Sequence, residues 1–141
     1  AYDLKFTEQI HNLIKSLKIS KNVELHEEFI IEKDMFPYFD KAEICLLPYR
    51  RATMSGILSH ILSRGVPSII SDLEPFVEIT KRKGIYFKNG DVNDLAIKAI
   101  HLLKNKRMQD KMSQDFRKLA DEYSWKNVAK QTFNFYRELL K

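Results

Sequence analysis

Apolar residues near the start of the chain recur every three to four positions. Ile10, Leu13, Ile14 and Leu17 fall on one stripe, which predicts an amphipathic helix over residues 3–18. Ser20-Lys21-Asn22 breaks that pattern. Val23-Glu24-Leu25 then reads as a short strand, with His26 to Ile31 as its outgoing loop, and a short helix is predicted over 33–41 with Pro37 near its first turn. Glu43 to Leu47 is a nearly continuous apolar run stopped by Pro48, the pattern of a buried strand. Ile57, Leu58, Ile61 and Leu62 form the apolar stripe of a helix over 55–64, ended by Gly65. Pro67 to Ile70 is a further buried strand, Phe76 to Lys81 a short helix, and Ile85 to Phe87 a last strand-like run closed by the turn Asn89-Gly90. Asp91 is positioned to cap a helix through about residue 104. Two more helices, 106–122 and 125–140, meet at Tyr123-Ser124-Trp125.

Strands alternating with helices predict an α/β fold: an open, Rossmann-like parallel sheet with helices on both faces. No repeat, low-complexity tract or linker interrupts the pattern, so residues 1–141 read as one domain. Composition agrees. Nine Phe and six Tyr in 141 residues are too many large apolar side chains for a disordered chain. No stretch reaches the roughly 20 apolar residues of a membrane span.

Charge is unevenly distributed. Residues 1–103 hold equal numbers of basic and acidic side chains, so the net charge of +5 resides in residues 104–141. A basic tail of this kind reads as the solvated face of helices; attraction to an anionic membrane surface or to nucleic acid is the alternative. A single cysteine, Cys45, lies inside the run Ile44-Cys45-Leu46-Leu47, where it reads as a core residue. It permits no intrachain disulfide, which fits a reducing, cytoplasmic compartment.

In open parallel sheets ligands bind beyond the carboxyl ends of the strands. Three predicted loops leave such ends: His26–Phe29, Pro48–Ser55 and Ser71–Pro75. The middle one, Pro48-Tyr49-Arg50-Arg51-Ala52-Thr53-Met54-Ser55-Gly56, runs directly into a helix. Unpartnered amides at a helix start, beside a small Ser-Gly pair, suit an anion such as phosphate, and Arg50 or Arg51 adds charge and bidentate geometry. The competing reading is an ordinary Ser55 N-cap beside solvated arginines. His11, His26, His60 and His101 are scattered without the spacing of a zinc site, and no nucleophile-elbow, Walker or dinucleotide glycine motif is present.

The order of the motifs carries a resemblance. Asn22-Val23-Glu24-Leu25, Ala42-Glu43-Ile44-Cys45-Leu46-Leu47-Pro48-Tyr49-Arg50, Ser55-Gly56-Ile57-Leu58, Gly65-Val66-Pro67-Ser68-Ile69-Ile70-Ser71-Asp72, Glu78 and Tyr123-Ser124-Trp125 together resemble the C-terminal, donor-binding domain of glycosyltransferase family 4, of the GT-B fold. The resemblance runs from about residue 3 to 141. It implies retaining transfer of a sugar from a nucleotide-diphosphate sugar to an acceptor, with no cofactor and no metal bound by the protein. It further implies that Ser55, Gly56, Ile57 and Arg50 hold the donor diphosphate, that Tyr49 and Thr53 flank the sugar, and that His26, Glu27 and His60 lie beside the nucleoside.

Two departures qualify that expectation. Many members of the family carry two Glu separated by seven residues across this loop and helix; here those positions are Ala52 and His60. This looks like a variant subgroup with Pro-Tyr-Arg…Ser-Gly in place of the acidic pair, and His60 remains able to donate to a ribose hydroxyl. The family's first strand with its Arg and Lys motif, and the facing N-terminal acceptor domain, are expected outside residues 1–141. The piece alone is therefore expected to bind donor weakly and not to catalyse transfer. The expected partners are the nucleotide sugar, that N-terminal domain and an anionic inner-membrane face reached by the basic helices, and not nucleic acid. A non-catalytic α/β binding or regulatory module is the competing reading.

Overall fold

The apolar runs pair side by side. In the computed structural model, which describes residues 4–140, Cys45–Leu47 (β1), Ser68–Ser71 (β2) and Ile85–Phe87 (β3) form a parallel sheet in the order β1-β2-β3. Leu46 lies opposite Ile69, and Ile70 opposite Tyr86. β2 is central and all four of its residues are buried, so the sheet is covered on both faces there. That is why this stretch shows no apolar–polar alternation. Ser68 is tolerated inside because its hydroxyl donates to Val66 O at 2.8 Å.

The chain divides into two compact units between Phe36 and Pro37. In the first, Leu4–Ser16 forms α1, and Lys18 follows it in the left-handed region (φ 56°). The His11 ring pairs with Glu27 across this unit. The strand expected at Val23-Glu24-Leu25 does not form; the segment is irregular and both apolar side chains are exposed. Its apolar–polar–apolar pattern favours an extended backbone. Three residues become a strand only when a neighbour takes up their amides and carbonyls, and none does so among the described residues. α2, Glu32–Lys41, crosses the division. It starts one residue earlier than expected, which places Pro37 at its sixth position, beyond the first turn, where it removes the bond its N–H would give to Lys33 O.

In the second unit the helices are α3 (Gly56–Arg64), α4 (Glu74–Ile79), α5 (Val92–Leu103), α6 (Lys106–Glu122) and α7 (Trp125–Leu139). α4 begins two residues before the expected start because Pro75 sits in its first turn, where no amide is needed. The core gathers Leu58, Ile61 and Leu62 of α3, Ile69 and Ile70 of β2, Phe76 of α4, Leu102 of α5, and Met112, Phe116 and Leu119 of α6. α3 and α6 make the broadest helix–helix contact. Where they approach, Gly65 ends α3 at φ 66°, and a Cβ there would lie 2.8 Å from Ser113 O. Buried Gln109 donates to Leu102 O at 3.0 Å, a second hydrogen bond to a carbonyl at the end of α5 that also accepts from Asn105 N.

Two cations of the basic tail are paired along α6, where Lys106 meets Asp110 and Lys111 meets Asp115 one turn on. α7 buries none of its residues; Trp125 is 90% exposed. Among the described residues no helix is long and apolar enough to cross a membrane.

Candidate functional site

Three segments leave the carboxyl ends of the strands in the second unit: Pro48–Ser55 after β1, Asp72-Leu73 after β2 and Lys88–Asp91 after β3. The first ends at the head of α3. Ser55 is extended (φ −147°, ψ 116°) and its hydroxyl accepts from Leu58 N at 3.2 Å, while Ser59 N–H reaches Ser55 O at 3.4 Å. The amides of Gly56 and Ile57 are then the two for which the helix supplies no acceptor. Gly56 is exposed, and a Cβ on it would have no atom within 4 Å. The head of α3 therefore presents two amides and the positive end of the helix dipole to an open approach. Ile57 turns its half-buried side chain to the core.

Tyr49 braces this head from behind. Its ring meets Phe76 edge-on at 5.5 Å, and its phenolic oxygen accepts from Ser55 Oγ at 3.4 Å. Thr53, exposed, lines a groove of about 800 Å³ with Ser59 and Leu62 of α3, Glu78 of α4, Tyr123 and Trp125. Glu78 is thus on the same surface as the loop, although the sequence assigned it no role.

Arg50 is placed differently. Its guanidinium lies over the turn after β3, so close that a Cβ on Gly90 (φ +85°) would fall within 2.4 Å of Nη1. Its backbone carbonyl accepts from Asn89 Nδ2 at 2.9 Å. Ser55, Gly56, Ile57 and Tyr49 are brought together, and Arg50 turns toward Gly90 instead. Arg51 is exposed.

The two positions where the family's acidic residues were expected are occupied by packing. Ala52 rests against the core, and the half-buried His60 ring stacks on Phe39 of α2 at 6.2 Å. His26 and Glu27 belong to the first unit, where His26 Nε2 lies 3.1 Å from Glu24 Oε1 and Glu27 meets His11. Burial pushes the Cys45 thiol above its ordinary value, which keeps it protonated and unreactive in β1. Among the described residues no three His, Cys, Asp or Glu side chains converge as a metal site would require.

Asp72 and Asn89 were missed by the sequence reading. Asp72 Oδ1 accepts from Asn89 N at 2.8 Å, so the segments after β2 and β3 are joined as well. The only signal was the Asn-Gly turn itself.

Three comparisons bear on this arrangement. No curated protein matches the sequence. Among solved structures, the chain superposes on sucrose-phosphate synthase from Thermosynechococcus elongatus with a TM-score of 0.77 at 19% identity, covering 94% of this chain and 34% of that one. That likeness shows a shared fold, that of a GT-B glycosyltransferase fragment, and the chain spans about a third of the neighbour's length. Residues 4–105 match a family of transferases described as glycosyl transferases group 1, a stretch that contains the sheet, the Pro48–Gly56 loop and the turn at Asn89. With the parallel sheet and the open helix head in the same stretch, the chain belongs to the glycosyl transferases group 1 family.

Proposed function

We propose that the chain supplies the donor site of a retaining, family 4-type glycosyltransferase that takes a sugar from a nucleotide-diphosphate sugar. The observation that carries this reading is the open head of α3, where Gly56 leaves its own amide and that of Ile57 accessible beyond the carboxyl end of β1. When the sugar–oxygen bond of such a donor breaks, negative charge grows on the departing diphosphate. Fixed amides and a helix dipole aimed at that charge stabilise it most in the transition state. Tyr49 and Thr53 flank the position of the sugar. His60 is assigned to the nucleoside, and Arg50 joins the diphosphate by leaving Gly90. The remainder of the transferase supplies the acceptor site.

The test is Gly56→Val in the full-length protein. A Cβ added at Gly56 meets no protein atom within 4 Å, and Val is no poorer a helix former than Gly, so the fold is retained. The added side chain does obstruct a phosphate approaching the backbone, and transfer from nucleotide sugars should fall about 100-fold. Unchanged turnover would remove the diphosphate assignment.

A second reading has its own support. Ala52 packed on the core and His60 stacked on Phe39 are also what a non-catalytic binding module would show. A full-length protein that binds nucleotide sugars and transfers none of them to glycan, lipid-linked or small-molecule acceptors would favour it.

A further inference from the structure

Asn89 stands where the segments following all three strands meet. Lys88 to Asp91 form a tight turn, with Asp91 N–H bonded to Lys88 O at 2.8 Å and Gly90 at positive φ in its third position. That turn projects Asn89 back over the sheet. Its side-chain amide donates to Arg50 O, and its backbone N–H is accepted by Asp72 Oδ1. Asp72 N–H in turn bonds Phe87 O at 3.0 Å. Arg50 is the third residue of Pro48–Ser55, a loop with no regular structure of its own, and Ser55 caps α3.

We infer that Asn89 is a positioning residue for the donor loop. It holds the backbone of Arg50 so that the segment from Tyr49 to Ser55 delivers the head of α3 in one conformation. This rests on the donor-site reading above and deepens it. An anion held by two backbone amides depends on their spacing and aim, and a small loss of placement costs binding. The chemistry of Asn is needed because the target is a carbonyl and the link requires a neutral N–H donor. Its side-chain oxygen is buried and accepts no hydrogen bond, so the amino group makes the connection.

The experiment uses the full-length protein with Asn89→Ala, with Asn89→Asp, which keeps the shape and loses the donor, and with Asp72→Asn, which keeps an oxygen to accept from Asn89 N–H. Hydrogen–deuterium exchange should speed up in peptides covering residues 49–57 in both Asn89 variants and remain as in wild type across α6. The KM for the nucleotide sugar should rise about tenfold in both, with kcat and acceptor KM within about twofold of wild type. Asp72→Asn should leave donor KM near the wild-type value. A merely structural role would lower activity with thermal stability and would not separate the donor KM from the acceptor KM. Unchanged exchange in residues 49–57, or faster exchange with an unchanged donor KM, overturns the inference. A wild-type protein that transfers from no nucleotide sugar overturns the donor-site reading instead, and takes the positioning role with it.

Discussion

Gly65 and Asp94 show how single side chains set local stability. At Gly65 the backbone is left-handed, and the neighbouring obstacle is Ser113 O, a main-chain atom held inside α6. Gly65→Ala therefore combines an unfavourable φ with a contact that no rotamer relieves. It should destabilise the fold by about 1–3 kcal/mol, read as a lowered midpoint in urea. Gly56, exposed and unobstructed, should tolerate the same change. Asp94 accepts from Lys98 Nζ at 2.8 Å and from Lys88 N at 2.7 Å, and these partners, Lys98 first, hold its carboxyl below the ordinary 3.8. A carboxylate depressed by folding contributes stability above its unfolded value and loses it as pH falls through the folded one. The Asp94 resonance should therefore titrate with a midpoint below 3.8, and Lys98→Ala should move that midpoint upward. A midpoint unaffected by Lys98→Ala would remove the ion pair as the cause. The cap residues Ser55 and Asp91 were legible in the sequence because capping depends on a side chain and the next three residues. Arg50 was not: its sequence neighbours place it in the loop, and only the turn after β3 decides where the guanidinium goes.

Among the described residues each helix was located in the sequence to within a few residues, α1 and α3 by an apolar stripe every 3.6 positions, which is a local property. The three runs that pair as strands were also legible, each a short apolar stretch between turn signals. The failure at Val23–Leu25 has the opposite cause. That segment carries the same kind of signal as Ile85–Phe87, yet Ile85–Phe87 is paired with β2 and Val23–Leu25 with no strand among the described residues. Strand formation is settled by a neighbour distant in sequence, which a local pattern does not contain. Helix ends moved for definable reasons. Pro75 entered the first turn of α4, and an earlier start of α2 set Pro37 one residue deeper in the helix.

For the whole molecule, the proposed donor cradle offers fewer contacts than the motif order suggested. Two amides at the head of α3 face the approach, while the guanidinium of Arg50 is engaged over Gly90. Two charge-assisted bonds contribute only about 1.5–3 kcal/mol each before the cost of ordering a ligand is subtracted. Calorimetric titration of residues 1–141 with common nucleotide sugars should accordingly show no saturable binding up to about 1 mM. Micromolar binding would mean that the cradle closes around the donor without help from the rest of the transferase. The sequence by itself determined the parallel α/β class, the helices, the caps, and the Pro48–Gly56 loop as the candidate site, since each is written in spacings of a few residues. The tertiary structure alone decided that β1, β2 and β3 are the strands that pair, that Ala52 and His60 are engaged in packing, and that Asn89 and Asp72 link the segments after β2 and β3 to the Pro48–Ser55 loop. Those outcomes depend on residues far apart in the chain being carried to one end of the sheet, where distance in space and not order in sequence selects the partner.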